Sequence, residues 1–288
     1  MYKISFGSAI SSTLDCNKIS IIIVAMKEKD INSGEAAVRP ATMTASDIRD
    51  ALTGMADESQ AAILQRFFKT GPGEYGEGDR FLGLRSPQTH GVVKEAFKIN
   101  PQLGYDEIET LLDSPWHEVR FAALLYLVER YGRILKKHLP GGDELLGFYE
   151  THAHRGNNWD LVDCVCPKIV GRWLCLDSVG DNEKWRLMDR FAASRNLWRQ
   201  RISVVSTWTT LRQGRADFTL CYAERHLHHR HPLMHKAVGW MLREMGKRVD
   251  MGLLRSFLES HAGRMPRTAL RYAIEKMDAG ERAFWMGR

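Results

Sequence analysis

Tyr105 to Tyr131 reads YDEIETLLDSPWHEVRFAALLYLVERY. Its first eight positions place apolar residues at helical spacing. Asp113-Ser114-Pro115 then interrupts the pattern, because proline lacks a backbone donor and disfavours helix in the residue before it. Trp116 to Tyr131 resumes as a second helix, with Val119, Ala122, Ala123, Leu124, Leu127 and Val128 as the expected buried side. A helix, a tight turn with proline and an antiparallel helix make the unit of an α-solenoid. Alternating β-branched runs bounded by turns, the mark of strands, are absent after residue 43. The reading is therefore all-α: a solenoid of HEAT-like antiparallel helix pairs, in which no fixed repeat period is visible.

Upstream of this pair lies Gly71 to Pro87, GPGEYGEGDRFLGLRSP. No Gly-Lys-Ser/Thr closes it and no strand precedes it, so it is not a phosphate-cradling P-loop. A shaped loop of this length between helices is often functional, but the pattern gives no role to its Tyr75–Asp79 portion. Before the loop, Ser46 to Met55 and Glu58 to Thr70 read as helices, the second with Ile63, Leu64, Phe67 and Phe68 at helical spacing. Residues 1–42 carry one short β-branched run, ISIIIV, and no helical period. They are expected to be a weakly ordered, dispensable extension to a single domain over 43–288.

Composition narrows the class. The chain has 288 residues, enough for a sizeable core, with 44% apolar and 26% charged residues, as in ordinary globular proteins. No apolar run is long enough to span a bilayer, and no secretory leader pattern opens the chain. Five cysteines without a CxxC pair fit reduced thiols. A cytoplasmic protein without a membrane partner is expected. The net charge of +6 is unevenly spread: residues 185–288 hold 20 Lys and Arg against 9 Asp and Glu, and residues 43–184 hold 16 against 22. So polarised a chain suits a polyanion laid along one end, since each neutralised phosphate releases counterions.

Three stretches carry candidate chemistry. In Asn157 to Asp163, NNWDLVD, the tandem amides are good helix N-caps, and Trp159 and Asp163 fall on one face, four apart. Further on, Arg201 falls inside the apolar arc of its helix, where a cation is costly unless a carboxylate or phosphate meets it. In Met234 to Val249, Lys236, Trp240, Arg243 and Lys247 share a face, and Met234, Val238, Met241, Leu242 and Met245 complete the apolar side without the tryptophan. A tryptophan displayed among cations suits a sugar or base flanked by phosphates. The histidine run His226 to His235 lacks carboxylate or thiolate ligands at metal spacing, and Pro232 marks a helix start there. No metal or cofactor is expected.

NNWDLVD followed by PKIVG, then SRNLWRQR, HKAVGWMLRE and MPRTALRYAIE, together with YGEGDRFLGLR, resembles the DNA alkylation repair glycosylases of the AlkD type over about Met43 to Ala283. The resemblance implies an all-α solenoid whose concave basic face holds duplex DNA. It implies removal of cationic alkylated purines, such as N7-alkylguanine and N3-alkyladenine, without flipping the base. On this match Asp163 is the catalytic carboxylate, Trp159 and Trp240 line the cleft beside it, and Arg201 and Arg243 are its basic residues; Lys236 and Lys247, from the face they share with Trp240, are expected to contact DNA with them. A monomer acting on duplex DNA, cytoplasmic and on the nucleoid when bound, follows. One departure is Asn158, where some relatives carry an aromatic residue.

Overall fold

The computed structural model of the protein describes residues 42–288, so the N-terminal extension lies, but for its last residue, outside the described residues. Within them the chain is helical, and one isolated bridge, between Arg80 and Trp116, is its sole strand-like pairing. The stretch expected to be one domain packs as two compact units. One comprises the described residues to Pro72 with Glu77–Tyr126; the other comprises Gly73–Gly76 with Leu127–Arg288.

The first unit begins with α1 (Ala45–Thr53) and α2 (Glu58–Phe67), followed by α3 (Ser86–Ile99), α4 (Tyr105–Leu112) and the start of α5 (His117–Lys137). Thr44, rather than a residue nearer Ser46, caps α1: its hydroxyl and the Asp47 carboxylate satisfy each other's backbone N–H groups in a capping box. Ile48, Ala51 and Leu52 of α1 are buried, and α1 packs against α3 and α4. The two helices of the decisive stretch are found where the sequence places them, α4 ending at Leu112 and α5 beginning after the proline turn. All six expected core residues of α5 are buried, but so are Phe121, Leu125 and Tyr126 on its other sides. Its middle is apolar all round and is enclosed accordingly. By contrast α2 buries none of its residues, and Ile63 and Phe67 stand 51% and 54% exposed.

The glycine-rich segment owes its shape to buried charge. Asp79 accepts from His117 Nδ1 at 2.8 Å and from Arg120 Nη2 at 2.5 Å. Glu118 on the same helix turn accepts from the backbone N–H groups of Leu82, Gly83 and Leu84 at 2.9–3.1 Å. Three peptide donors that no strand could pair are thereby satisfied. Gly83 takes φ +92°, and a Cβ there would lie 2.0 Å from the Asp57 carbonyl, so both conformation and space require glycine.

The second unit continues α5 from Leu127 and adds α6 (Gly142–His152), α7 (Trp159–Asp163), α8 (Val170–Leu174), α9 (Asp181–Ala192), α10 (Leu197–Val205), α11 (Thr207–Arg212), α12 (Asp217–Arg225), α13 (Pro232–Arg248), α14 (Met251–His261), α15 (Arg267–Ala273) and α16 (Ala279–Met286). The helix of Arg201 ends at Val205 and a second begins at Thr207, the two joined at Ser206; Thr209 there donates its hydroxyl to the Pro167 carbonyl at 2.6 Å. Packing is mostly local in sequence: α9 on α10, α12 on α13, α13 on α14 and α15. Neighbours stacking on neighbours is what helix-pair repeats require. Two longer-range contacts build the site, α7 against α10 and α10 against α13.

Candidate functional site

Helix α7 is short, and its start is fixed by Asn158. That side chain is fully buried and accepts from the Trp159 backbone N–H at 2.9 Å, so the amide at the departure point serves as the cap. Leu161 and Val162 anchor the helix in the core, leaving Trp159 and Asp163 half-buried on the other face. Cys164 and Cys166 follow as free thiols; burial pushes Cys164 up to about 12, which makes it a poor nucleophile.

Asp163 meets Arg201. The guanidinium donates through Nε and Nη2 to the two carboxylate oxygens, each at 2.7 Å, in a bidentate fork. Its Nη1 donates to the Leu233 carbonyl at 2.6 Å. Arg201 thus spends its donors inside the protein, with its side chain only 5% exposed. The cation that the resemblance assigns to the DNA cleft is thus paired with the carboxylate. Asp163 keeps 13% of its side-chain surface open and is the accessible member of the pair. Burial pushes the Asp163 carboxyl above its ordinary value, with Arg201 opposing. Burial works against the Arg201 charge as well, but Asp163 outweighs it and holds the guanidinium ionised.

Leu233 opens α13, the helix that carries Trp240 two turns further on. The five apolar residues expected inside this helix are all buried, Trp240 is half-buried, and Lys236 and Lys247 are exposed. Gly239 lets the helix approach α15 closely: a Cβ there would lie 2.3 Å from the Ala269 carbonyl and 2.6 Å from Tyr272 Cβ. Arg243 differs from the two lysines, because it is paired with Glu275 and, at 3.4 Å, with Glu244.

Sequence reasoning missed two residues. Tyr75, from the glycine-rich loop but packed in the second unit, is hydrogen-bonded to the Trp159 side chain. Its ring also meets Trp198 and His231 edge-on, each at 6.3 Å. Burial pushes the Tyr75 phenol up, so it remains a neutral hydroxyl. Tyr272 on α15 lies in electrostatic reach of Arg201. Neither has a local signal, since both come from chain distant from NNWDLVD. The histidine run is structural in its contacts: His226 pairs with Ser203 at 3.1 Å, His229 with Gln200 at 2.9 Å, and His231 caps α13. Among the described residues no cluster of three or more potential ligands could hold a metal, and no helix is long and apolar enough to cross a membrane.

The family model for DNA alkylation repair enzymes matches residues 48–277, and the chain belongs to that family. A solved structure described as a predicted DNA alkylation repair enzyme from Enterococcus faecalis is similar in fold, with a TM-score of 0.61 and 17% sequence identity. The match covers 78% of this chain and 97% of that one. No curated protein sequence matches the chain.

Proposed function

We propose that the protein is a DNA glycosylase that hydrolyses the N-glycosidic bond of cationic alkylated purines, N7-alkylguanine and N3-alkyladenine, in duplex DNA. The observation that carries this reading is the Asp163 carboxylate, gripped by a buried arginine and left partly exposed, four residues after Trp159 on the same short helix. An alkylated purine is already a cationic leaving group, so no general acid has to protonate it. Bond cleavage needs stabilisation of a sugar oxocarbenium ion and a water held for attack, and one ionised carboxylate can supply both. In this reading Arg201 is the positioning residue that holds both carboxylate oxygens. Trp159 and Trp240 present π surfaces that favour the developing positive charge. Tyr75 holds the Trp159 indole in place. The base stays in the stack while the site engages sugar and backbone. Lys236 and Lys247 contact phosphate, and Arg243 joins them if its pairing with Glu275 yields to a phosphate. Excision proceeds without metal or cofactor, by a cytoplasmic monomer.

A second reading has a specific observation behind it. A bidentate buried ion pair also occurs as a plain structural contact, which would leave the chain a non-catalytic scaffold for DNA or an acidic protein. One experiment separates the two: incubation with methylated duplex DNA, followed by detection of free 7-methylguanine. Release supports the glycosylase. Salt-sensitive binding to duplex without release would support the scaffold.

A further inference from the structure

The His231 ring contacts Leu233 and Tyr75, each of which in turn meets one arm of the candidate site. Its Nδ1 accepts from the Leu233 backbone N–H at 3.2 Å and so caps the first turn of α13. The carbonyl of that same Leu233 receives Arg201 Nη1, whose other two donor groups hold Asp163. On its other side the imidazole meets Tyr75, the residue bonded to Trp159. Elsewhere the chain caps helices with Thr44, Asp57, Asn158, Asn196, Asp250 and Asp278, side chains that do not change their accepting power near neutral pH. Histidine is the exception, and it can accept at Nδ1 only while that nitrogen carries no proton.

We propose that His231 is a positioning residue for the Asp163 site: neutral, it locks the first turn of α13 and with it Arg201 and Asp163; protonated, it releases that turn. The activity arm of the test rests on the glycosylase reading above. The groups facing the ring are His229 and His235 from the turn and α13, Arg201 from α10, and the Tyr75 phenol from the loop. Burial first, then His229, Arg201 and His235, hold its pKa below the ordinary imidazole value. The ring is therefore neutral at neutral pH and protonates on the acid side of the usual histidine range.

The test compares His231→Ala and His231→Asn with the wild-type protein in single-turnover excision from methylated duplex, across the acid side of the imidazole range. Loss of the cap in His231→Ala should lower kcat roughly five- to tenfold while KM and duplex affinity hold. His231→Asn, which restores a non-titrating acceptor, should recover the rate and flatten the acid limb that the wild type shows. Wild-type kcat and acid limb in a folded His231→Ala, or a His231→Asn as impaired as the alanine variant, would overturn the proposal. A urea double-mutant cycle of His231→Ala with Asp163→Asn reads the linkage without any substrate. Non-additive midpoints are expected, and strict additivity would overturn the proposal even where excision is absent. Absent excision in the wild type with a non-additive cycle would sink the glycosylase reading alone.

Discussion

Two ion-paired carboxylates, one in each unit, show how similar ingredients serve different ends. Asp79 has no exposed side-chain surface and is held by two partners, His117 and Arg120. Burial pushes its carboxyl up, but the hydrogen bonds and charges of His117 and Arg120 outweigh that and hold it below the ordinary carboxylate range. Among the described residues Asp163 has a single cationic partner, and its side chain stays partly exposed; there burial prevails. A carboxylate with no exposed surface is inert, because no substrate can reach its oxygens. One clamped from a single side is aimed, and partly desolvated besides. Perturbed carboxylates of the second kind gather at functional sites.

Replacing the enclosed carboxylate should give the largest stability effect. Asp79→Asn leaves His117 and Arg120 buried against a neutral group, and breaking such a pair typically costs about 3–5 kcal/mol. A urea melt should show that loss, with activity falling only in step with the folded fraction. An Asp79→Asn protein that is fully stable but inactive would erase the contrast between the two carboxylates.

Acid should separate the units next. His226, buried in the second unit, has its pKa pushed down to about 4, by burial first and then by His229 and Arg225. Its unfolded form titrates near the ordinary 6.5, so the unfolded chain binds the extra proton between those values. Stability is therefore lost as pH falls from 6.5 toward 4, by an amount on the order of 3 kcal/mol. Asp79 acts in the same direction but only below the ordinary carboxylate range, since its folded pKa is depressed. Hydrogen-exchange protection factors should drop in α10–α13 before they drop around Asp79, and His226→Gln should blunt the earlier loss. Simultaneous loss in both regions would contradict this order.

The smallest effect is expected at Tyr75. Tyr75→Phe keeps the ring against Trp198 and His231 but removes the hydroxyl bonded to Trp159. One neutral hydrogen bond is worth about 1 kcal/mol, a several-fold loss in kcat with little change in melting temperature. An unchanged rate would show that Trp159 needs no second support.

How much of this could be read from the chain depended on how local each cause is. The α4–α5 pair follows from a proline turn between two helical patterns, and those signals lie within a few residues of each other. Asp163 and Trp159 were legible because cap, indole and carboxylate sit within seven residues. Arg201 showed only that it needed an anion. That the anion is Asp163 rather than a phosphate depends on α7 meeting α10, which no spacing reveals. The pairing of Arg243 with Glu275 escaped for the same reason, and so did Tyr75. In α2 the helical spacing was correct, but it does not tell a buried face from an exposed one. The break at Ser206 likewise answers to packing, through the Thr209 bond to Pro167.

The central claim is that the Asp163 charge, held by Arg201, serves chemistry rather than architecture alone. Single-turnover excision of 7-methylguanine by Asp163→Asn, with a melt on the same preparation and the rate normalised to folded protein, tests it most directly. Some stability will be lost, since Arg201 then faces a neutral amide. Per folded molecule the rate should nonetheless fall by roughly 10²–10³, the usual consequence of removing one electrostatic group from a transition state. Affinity for undamaged duplex should hold or tighten, because a negative charge has left the surface proposed to face phosphates. A variant that melts lower but excises at the wild-type rate per folded molecule would contradict the account and make Asp163, like Asp79, a staple of the fold.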